Sequence, residues 1–147
     1  MLPQTYKSVI NDYEYFLKLK ELSGNKNIIV IDENQSSDIQ QEIIKKSFLV
    51  IGARYHSVVF AINNEIPFVS LSYEHKMKGL LEVLDMTDRM VEIQDVFDRE
   101  TSDFKKTLDK VVLLVSGKLE KTSASQAREV VWNGFERFAE KINKIKD

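Results

Sequence analysis

The sequence predicts an α/β fold, a three-layer sandwich built on a mostly parallel sheet of about four strands. Short apolar runs rich in β-branched residues alternate along the chain with stretches whose apolar residues recur at helical spacing. The turns between them are short, which is typical of parallel strands joined by helical crossovers. With 147 residues and two prolines, the chain is expected to form a single domain over residues 1–147.

The N-terminal third predicts a helix, a strand and a second helix. Apolar residues at helical spacing across residues 9–22 predict the first helix, which Gly24 is expected to end in the left-handed conformation. Residues 27–31 form an unbroken β-branched run, as expected of a strand covered on both faces. Ser37 opens a capping-box sequence, which predicts a helix that runs to residue 46.

Two strand-helix pairs are predicted in the middle of the chain. The apolar run at residues 48–52 predicts a strand, followed by a helix from about residue 57 to residue 64. A second strand is predicted at residues 67–73, where a proline opens the run, and a helix follows over residues 76–84. A weaker strand is predicted at residues 90–93. These pairs supply the strand-helix alternation of the fold.

Two further helices are predicted at the C-terminus, one over residues 104–119 and one within residues 120–147. The last helix carries a regular apolar stripe of Val131, Phe135, Phe138, Ile142 and Ile145. We expect this stripe to pack onto the domain itself. The alternative is docking on another domain or subunit, as in a homo-oligomer, with Trp132 and Phe138 as bulky anchors.

Composition and charge exclude several classes of protein. The formal net charge is −2, so no nucleic-acid partner is expected. The absence of cysteine excludes disulfides and thiolate chemistry and agrees with a reducing compartment. No apolar run approaches the roughly 20 residues that span a bilayer, and no signal peptide is recognisable. We therefore expect a cytoplasmic protein without a membrane span.

Familiar cofactor and nucleophile motifs do not occur in the chain. No G-x-G-x-x-G accompanies Asp32, so a nicotinamide cofactor is not expected. Asp32 also resembles the acidic start of receiver domains, but Arg54 and His56 stand where that family needs its phosphoacceptor aspartate. There is no H-E-x-x-H, no G-x-S-x-G, and only two histidines. No metal and no cofactor are expected.

The strand predicted at residues 48–52 is followed at once by residues with binding chemistry. Arg54 and His56 would face one ligand if the extended conformation continued to them, because alternate residues of a strand point the same way. Ser57 is expected to cap the next helix, whose free amides favour an anion. A surface arginine paired with a carboxylate, and a histidine bound to a loop carbonyl, remain the structural alternative.

The second strand ends on a similar group of polar residues. Tyr73, Glu74, His75 and Lys76 follow it directly. A lysine at a helix start opposes the helix dipole unless an anion is bound there, whereas Glu74 suits that position in any case. A solvated first helical turn is the structural alternative. Because ligands bind outside the carboxyl ends of parallel strands, the two groups are expected to line one crevice.

Together these residues carry a family pattern. An R-x-H-x-x-x-x-A segment precedes a strand that begins with proline and ends in S-Y-x-x-K. The matching residues are Arg54, His56, Ala61, Pro67, Ser72, Tyr73 and Lys76. The segment resembles the C-terminal signature of the polysaccharide pyruvyltransferase family over about forty residues.

The resemblance implies transfer of a pyruvyl group from phosphoenolpyruvate to a saccharide of a surface or capsular polysaccharide, usually as a ketal across two hydroxyls. It implies that Arg54 clamps one oxyanion of phosphoenolpyruvate and that Lys76 neutralises the other. His56 would be the catalytic proton shuttle. Ser57, Tyr73 and Glu74 are expected as further substrate-binding residues, with phosphoenolpyruvate as donor substrate rather than cofactor.

The resemblance also implies a larger architecture. Family members are typically more than twice this long and resemble two-domain GT-B transferases, whose halves are Rossmann-like. The chain is therefore expected to be the C-terminal half, a fragment or a natural truncation, and a poor catalyst by itself without an N-terminal domain. There are two alternative functions. The chain could be half of a GT-B-like glycosyltransferase or nucleotide-sugar epimerase, or it could be a non-catalytic interaction module.

Overall fold

The computed structural model describes residues 1, 12–31, 35–73, 75–93, 102–117 and 124–143. These residues form six α-helices and one parallel sheet of three strands, which confirms the α/β class. The chain divides into two compact units, Met1–Ile43 and Ile44–Asp147. A single domain over the whole chain stays a prediction.

The first unit contains helix α1 (Asp12–Ser23) and most of helix α2 (Ser37–Lys45). Gly24 follows α1 with φ +60°, so its predicted left-handed role is confirmed. The predicted cap of α2 is wrong by one residue. The Ser36 hydroxyl accepts the amide hydrogen of Ile39 at 3.4 Å, and Ser37 is already the first helical residue.

The strand predicted at residues 27–31 does not form. These residues are outside the sheet, and the Ile29 side chain is 73% exposed. Their backbone instead bonds to Met1, whose amino group donates to the Ile29 carbonyl and whose carbonyl accepts from the amide of Ile31 at 3.1 Å. A run of β-branched residues favours extended backbone. A strand also needs an adjacent extended segment of several residues with which it can form a ladder of hydrogen bonds. Expecting four strands was therefore wrong for the described residues.

The sheet lies in the second unit and has the order β1-β2-β3. Its strands are β1 (Val50–Gly52), β2 (Phe68–Ser72) and β3 (Met90–Glu92), all parallel. Gly52 is in register with Ser70, and Ser72 with Glu92, so the strands end at one edge of the sheet. The middle strand β2 is the most buried because it has a neighbour on each side.

A helix connects each pair of neighbouring strands. Helix α3 (Tyr55–Asn63) follows β1, and helix α4 (His75–Val83) follows β2, which makes two successive βαβ units. A short 3-10 helix (Thr87–Arg89) precedes β3. The core beneath these helices is mostly aliphatic, and it includes Val58, Ala61, Phe68, Val69, Met77, Leu81 and Val91.

Gly52 allows α3 to approach the sheet closely. A Cβ at this position would lie 2.5 Å from the Ser57 Oγ and 3.0 Å from a methyl group of Val58. A side chain here would therefore have to displace the Ser57 hydroxyl or the start of α3. The glycine fixes the distance between the strand end and the helix that carries the candidate site.

Helices α3 and α4 end in the same way. After α3, the amides of Glu65 and Ile66 bond back to the helix, and Glu65 has φ 57°. After α4, Asp85 takes the same place with φ 55°. Both are Schellman ends in which a non-glycine residue occupies the left-handed position that glycine favours. These turns return the chain to the next parallel strand.

Two helices follow the sheet, α5 (Ser102–Ser116) and α6 (Ala124–Asn143). The apolar stripe of α6 was expected to pack onto the domain, and that expectation is wrong for its described residues. Its exposed members are Val131, Phe135 and Phe138, which are 56%, 65% and 62% exposed, and Ile142 at 39%. Ile145 lies outside the described residues. Within the described ranges, no helix is both long and apolar enough to cross a membrane.

Candidate functional site

The polar residues singled out from the sequence lie where β1 and β2 end. Arg54 follows β1 by two residues, and Tyr73 follows β2 directly. Because the two strands are parallel and adjacent, their carboxyl ends meet at one edge of the sheet. Contacts between these residues bring the two strand ends together, whereas a ligand crevice lined by both groups stays a prediction.

Arg54 and Tyr73 contact each other directly. The Arg54 Nη1 donates a hydrogen bond to the Tyr73 hydroxyl at 3.0 Å, across 19 residues of sequence. Arg54 is half-buried and Tyr73 is 37% exposed, so the pair is open to solvent on one side. A guanidinium carries five N–H donors, more than one tyrosine hydroxyl can accept. The pair is chemically suited to bind an anion.

Helix α3 begins earlier than the sequence predicted. Its N-cap is Arg54, with φ −101° and ψ 143° and no side-chain cap hydrogen bond, and its first residue is Tyr55. The capping role predicted for Ser57 is wrong, because Ser57 is already in the first turn. Its hydroxyl donates to the Arg54 carbonyl at 2.5 Å, which holds Arg54 in place against the helix. Substrate binding by Ser57 stays a prediction.

His56 does not continue the strand as expected. β1 ends at Gly52, so His56 is the second residue of α3, and the alternation argument that placed it beside Arg54 does not apply. The imidazole is exposed and contacts two aromatic rings. It meets Tyr55 edge to face at 5.9 Å between centroids, and Phe60 at 6.1 Å. His56 therefore lies at the same helix start as Arg54, open to solvent.

Lys76 reaches the site from α4. Its Nζ lies 5.7 Å from the centroid of the Tyr55 ring, within the distance of a cation–π contact. Lys76, which follows β2, thus contacts a residue that follows β1. Arg54, which follows β1, contacts a residue that follows β2. Two positive groups, Arg54 and Lys76, are brought to one edge of the sheet through two tyrosines.

Two further residues singled out from the sequence are Glu74 and His75. Glu74 lies outside the described residues, so its predicted binding role stays a prediction. His75 is the first residue of α4 and is exposed. Across the described ranges, no group of three His, Asp or Glu side chains is placed to hold a metal ion.

Tyr55 is the site residue that the sequence reasoning missed. It separates Arg54 from His56 and occupies the variable position of the R-x-H pattern. The available signal was an aromatic residue flanked by a cation and an imidazole at a strand end. Its ring contacts both Lys76 and His56, which makes it the residue that joins the parts of the site.

Comparisons with known proteins identify a family for the first half of the chain. The family model for polysaccharide pyruvyl transferase matches residues 2–75, half of the chain. That span includes Arg54, His56 and Tyr73 and stops one residue before Lys76. No solved structure matches the chain.

A curated relative is similar over a similar share of the chain. The amylovoran biosynthesis protein AmsJ of Erwinia amylovora is 31% identical over 75 residues, which are 50% of this chain and 18% of the relative. The chain thus covers less than a fifth of that protein's length. With the family model matching half of its residues, the chain belongs to the polysaccharide pyruvyl transferase family.

Proposed function

We propose that this chain supplies the phosphoenolpyruvate-binding part of a polysaccharide pyruvyltransferase. The single observation that carries the proposal is the pair of contacts between the two strand ends, Arg54 to Tyr73 at 3.0 Å and Lys76 to Tyr55 at 5.7 Å. Phosphoenolpyruvate carries a carboxylate and a phosphate close together. Two cations held at one edge of a sheet complement such a dianionic donor.

The two cations would have different roles in binding the donor. Arg54 presents a planar fork of N–H donors, which suits bidentate contact with a carboxylate or phosphate. Lys76 presents a compact charge that can neutralise the second oxyanion without a fixed geometry. The N-cap of α3 lacks a side-chain hydrogen bond, so the first amides of that helix add a positive dipole beside Arg54.

His56 is the residue that we assign to proton transfer. In ketal formation, the methylene carbon of the donor gains a proton, and two sugar hydroxyls each bond to the central carbon and lose a proton. The bond from that carbon to the phosphate oxygen breaks, and the phosphate leaves with the second hydroxyl proton. An exposed imidazole at the same helix start as Arg54 can give the first proton and accept one from a hydroxyl. Its exposure leaves room for the saccharide to approach.

The acceptor and the larger architecture are proposed from the relatives of this chain. The name of AmsJ assigns that protein to amylovoran biosynthesis. We extend this to a saccharide acceptor for our chain, bound partly by residues in the portion of such relatives that the chain does not span. A Rossmann-like half of a GT-B-type transferase, working in the cytoplasm, is the architecture that we propose for the second unit.

Ligand-dependent stability tests the proposal with matched controls. Phosphoenolpyruvate at a hundred times its Kd should raise the Tm by about 5 to 10 °C. Arg54→Ala and Lys76→Met should each reduce that shift, whereas Arg137→Ala on α6 and Lys78→Met on α4 should retain it. His56→Gln should preserve binding but abolish transfer in a longer family member that carries the same residues, with His75→Gln as its control.

Other ligands separate the alternative functions. A shift with a uridine diphosphate sugar and none with phosphoenolpyruvate would replace the proposal with a nucleotide-sugar transferase or epimerase half. No shift with either, together with a concentration-dependent dimer, would favour an interaction module. That third outcome has its own structural support, because the α6 stripe is exposed.

A further inference from the structure

Four side chains at the ends of β1 and β2 form two crossed pairs. From the first strand end, Arg54 bonds to Tyr73 of the second. From the end of the second strand, Lys76 lies over the ring of Tyr55, which follows the first strand. Each cation is therefore held by an aromatic residue from the opposite strand end. The crossing means that neither cation is positioned by its own segment alone.

Tyr55 is suited to hold a lysine because of its position and its surroundings. As the first residue of α3, it has a backbone that is anchored by the close packing of that helix on Gly52. Its side chain is half-buried, and the His56 ring meets it at an interplanar angle of 88°. A ring held in this way offers its negative face to the ammonium group.

Lys76 gains more from such a contact than Arg54 does. A lysine side chain is long and flexible and has no planar fork to preset its geometry. Lys76 is exposed, so rotamers that point into solvent compete with rotamers that point to the site. The Tyr55 ring at 5.7 Å favours the rotamers that keep the ammonium at the start of α3.

We propose that Tyr55 is a positioning residue that holds Lys76 for the second oxyanion of the donor. The inference rests on the proposed function, since it assigns a role at the same anion site. It predicts that binding of the donor depends on the aromatic ring of Tyr55 and not on its hydroxyl. Tyr55→Phe should therefore behave like the wild type, and Tyr55→Leu should not.

A double-mutant cycle on phosphoenolpyruvate affinity tests the inference. By calorimetry, Tyr55→Leu should weaken the Kd by about two- to fivefold in the wild-type background. In the Lys76→Met background, the same change should have no further effect, because the group that Tyr55 positions is gone. Lys78→Met supplies the control background, in which Tyr55→Leu should retain its full effect.

A measurement without ligand checks the contact itself. The ε-methylene protons of Lys76 should show an upfield ring-current shift in the NMR spectrum, which Tyr55→Phe keeps and Tyr55→Leu removes. Those of Lys78 should not change. Circular dichroism and the Tm of each variant establish that it is folded before affinities are compared.

The outcomes separate this inference from the proposed function. Two outcomes would overturn the inference and leave the proposed function standing, provided that phosphoenolpyruvate binds the wild type. In one, the effects of Tyr55→Leu and Lys76→Met on the binding free energy are additive. In the other, Tyr55→Leu binds phosphoenolpyruvate as well as the wild type does. If phosphoenolpyruvate does not bind the wild type, the function is overturned, and the same cycle on inorganic phosphate decides the inference. If neither phosphoenolpyruvate nor inorganic phosphate binds, the proposed function and the inference are both overturned.

Discussion

The Arg54 guanidinium donates a 3.0 Å hydrogen bond to the hydroxyl of Tyr73, which joins the ends of two neighbouring parallel strands. The same two residues belong to the R-x-H and S-Y-x-x-K segments that suggested the family. Their contact gives a physical reason for the two segments to occur together. An arginine at one strand end is oriented by a tyrosine at the next.

Tyr73→Phe should weaken phosphoenolpyruvate binding with little loss of stability. The hydroxyl is partly exposed, so its loss should change the free energy of unfolding by no more than about 1 kcal/mol. The guanidinium would lose one of its orienting partners, and the Kd should rise by roughly two- to fivefold. Calorimetry and urea unfolding measure the two quantities. Tyr15→Phe on α1 is the control, and an unchanged Kd for Tyr73→Phe would contradict the orienting role.

Gly52→Ala should destabilise the second unit. The new methyl group would lie 2.5 Å from the Ser57 Oγ, which is already engaged with the Arg54 carbonyl. Overpacking of this kind costs about 1 to 3 kcal/mol of unfolding free energy. Gly79→Ala in α4, where nothing lies within 4 Å, should instead gain up to about 1 kcal/mol. Urea unfolding of both variants tests the contrast, and equal effects would be inconsistent with close packing at Gly52.

Ser70→Ala should leave the fold as stable as the wild type or more stable. Ser70 is fully buried in β2, and within the described part of the chain its hydroxyl has no hydrogen-bond partner. Removing an unsatisfied buried hydroxyl should raise the free energy of unfolding by about 1 kcal/mol.

Ser72→Ala is the matched control, because this buried serine lies on the same face of the same strand and takes part in a polar interaction. It should lower the free energy of unfolding by about 1 kcal/mol. A loss of stability in Ser70→Ala as large as in Ser72→Ala would show that the Ser70 hydroxyl is satisfied after all.

Glu65→Gly should stabilise the turn after α3. Glu65 has φ 57°, a conformation that costs an L-residue about 1 kcal/mol and glycine almost nothing. Part of that gain is offset by the greater freedom of glycine in the unfolded chain, so the net increase should be about 0.5 kcal/mol. Glu82→Gly inside α4 should lower stability by about 1 kcal/mol. The urea midpoints of the two variants should therefore move in opposite directions.

Much of the second unit could be predicted from local sequence patterns. The three strands, the helices between them and the left-handed residue after α1 follow from apolar periodicity and from glycine chemistry, both of which are properties of neighbouring residues. That the ends of β1 and β2 lie at one edge also followed, because these strands are parallel, but the contact between Arg54 and Tyr73 did not. Helix boundaries were less accurate, since α3 begins at Tyr55 rather than near Ser57.

By itself, the sequence determined the α/β class, the family pattern and the strand edge where the cations lie. Only the tertiary structure decided that residues 27–31 stay outside the sheet, that the α6 stripe is exposed, and that His56 belongs to a helix. It also decided that Tyr55 lies beneath Lys76. The reason is the same in each case. Periodicity shows which residues favour a strand or a buried face, but a ladder partner, a covering surface and a ring within 6 Å of a cation depend on residues distant in sequence.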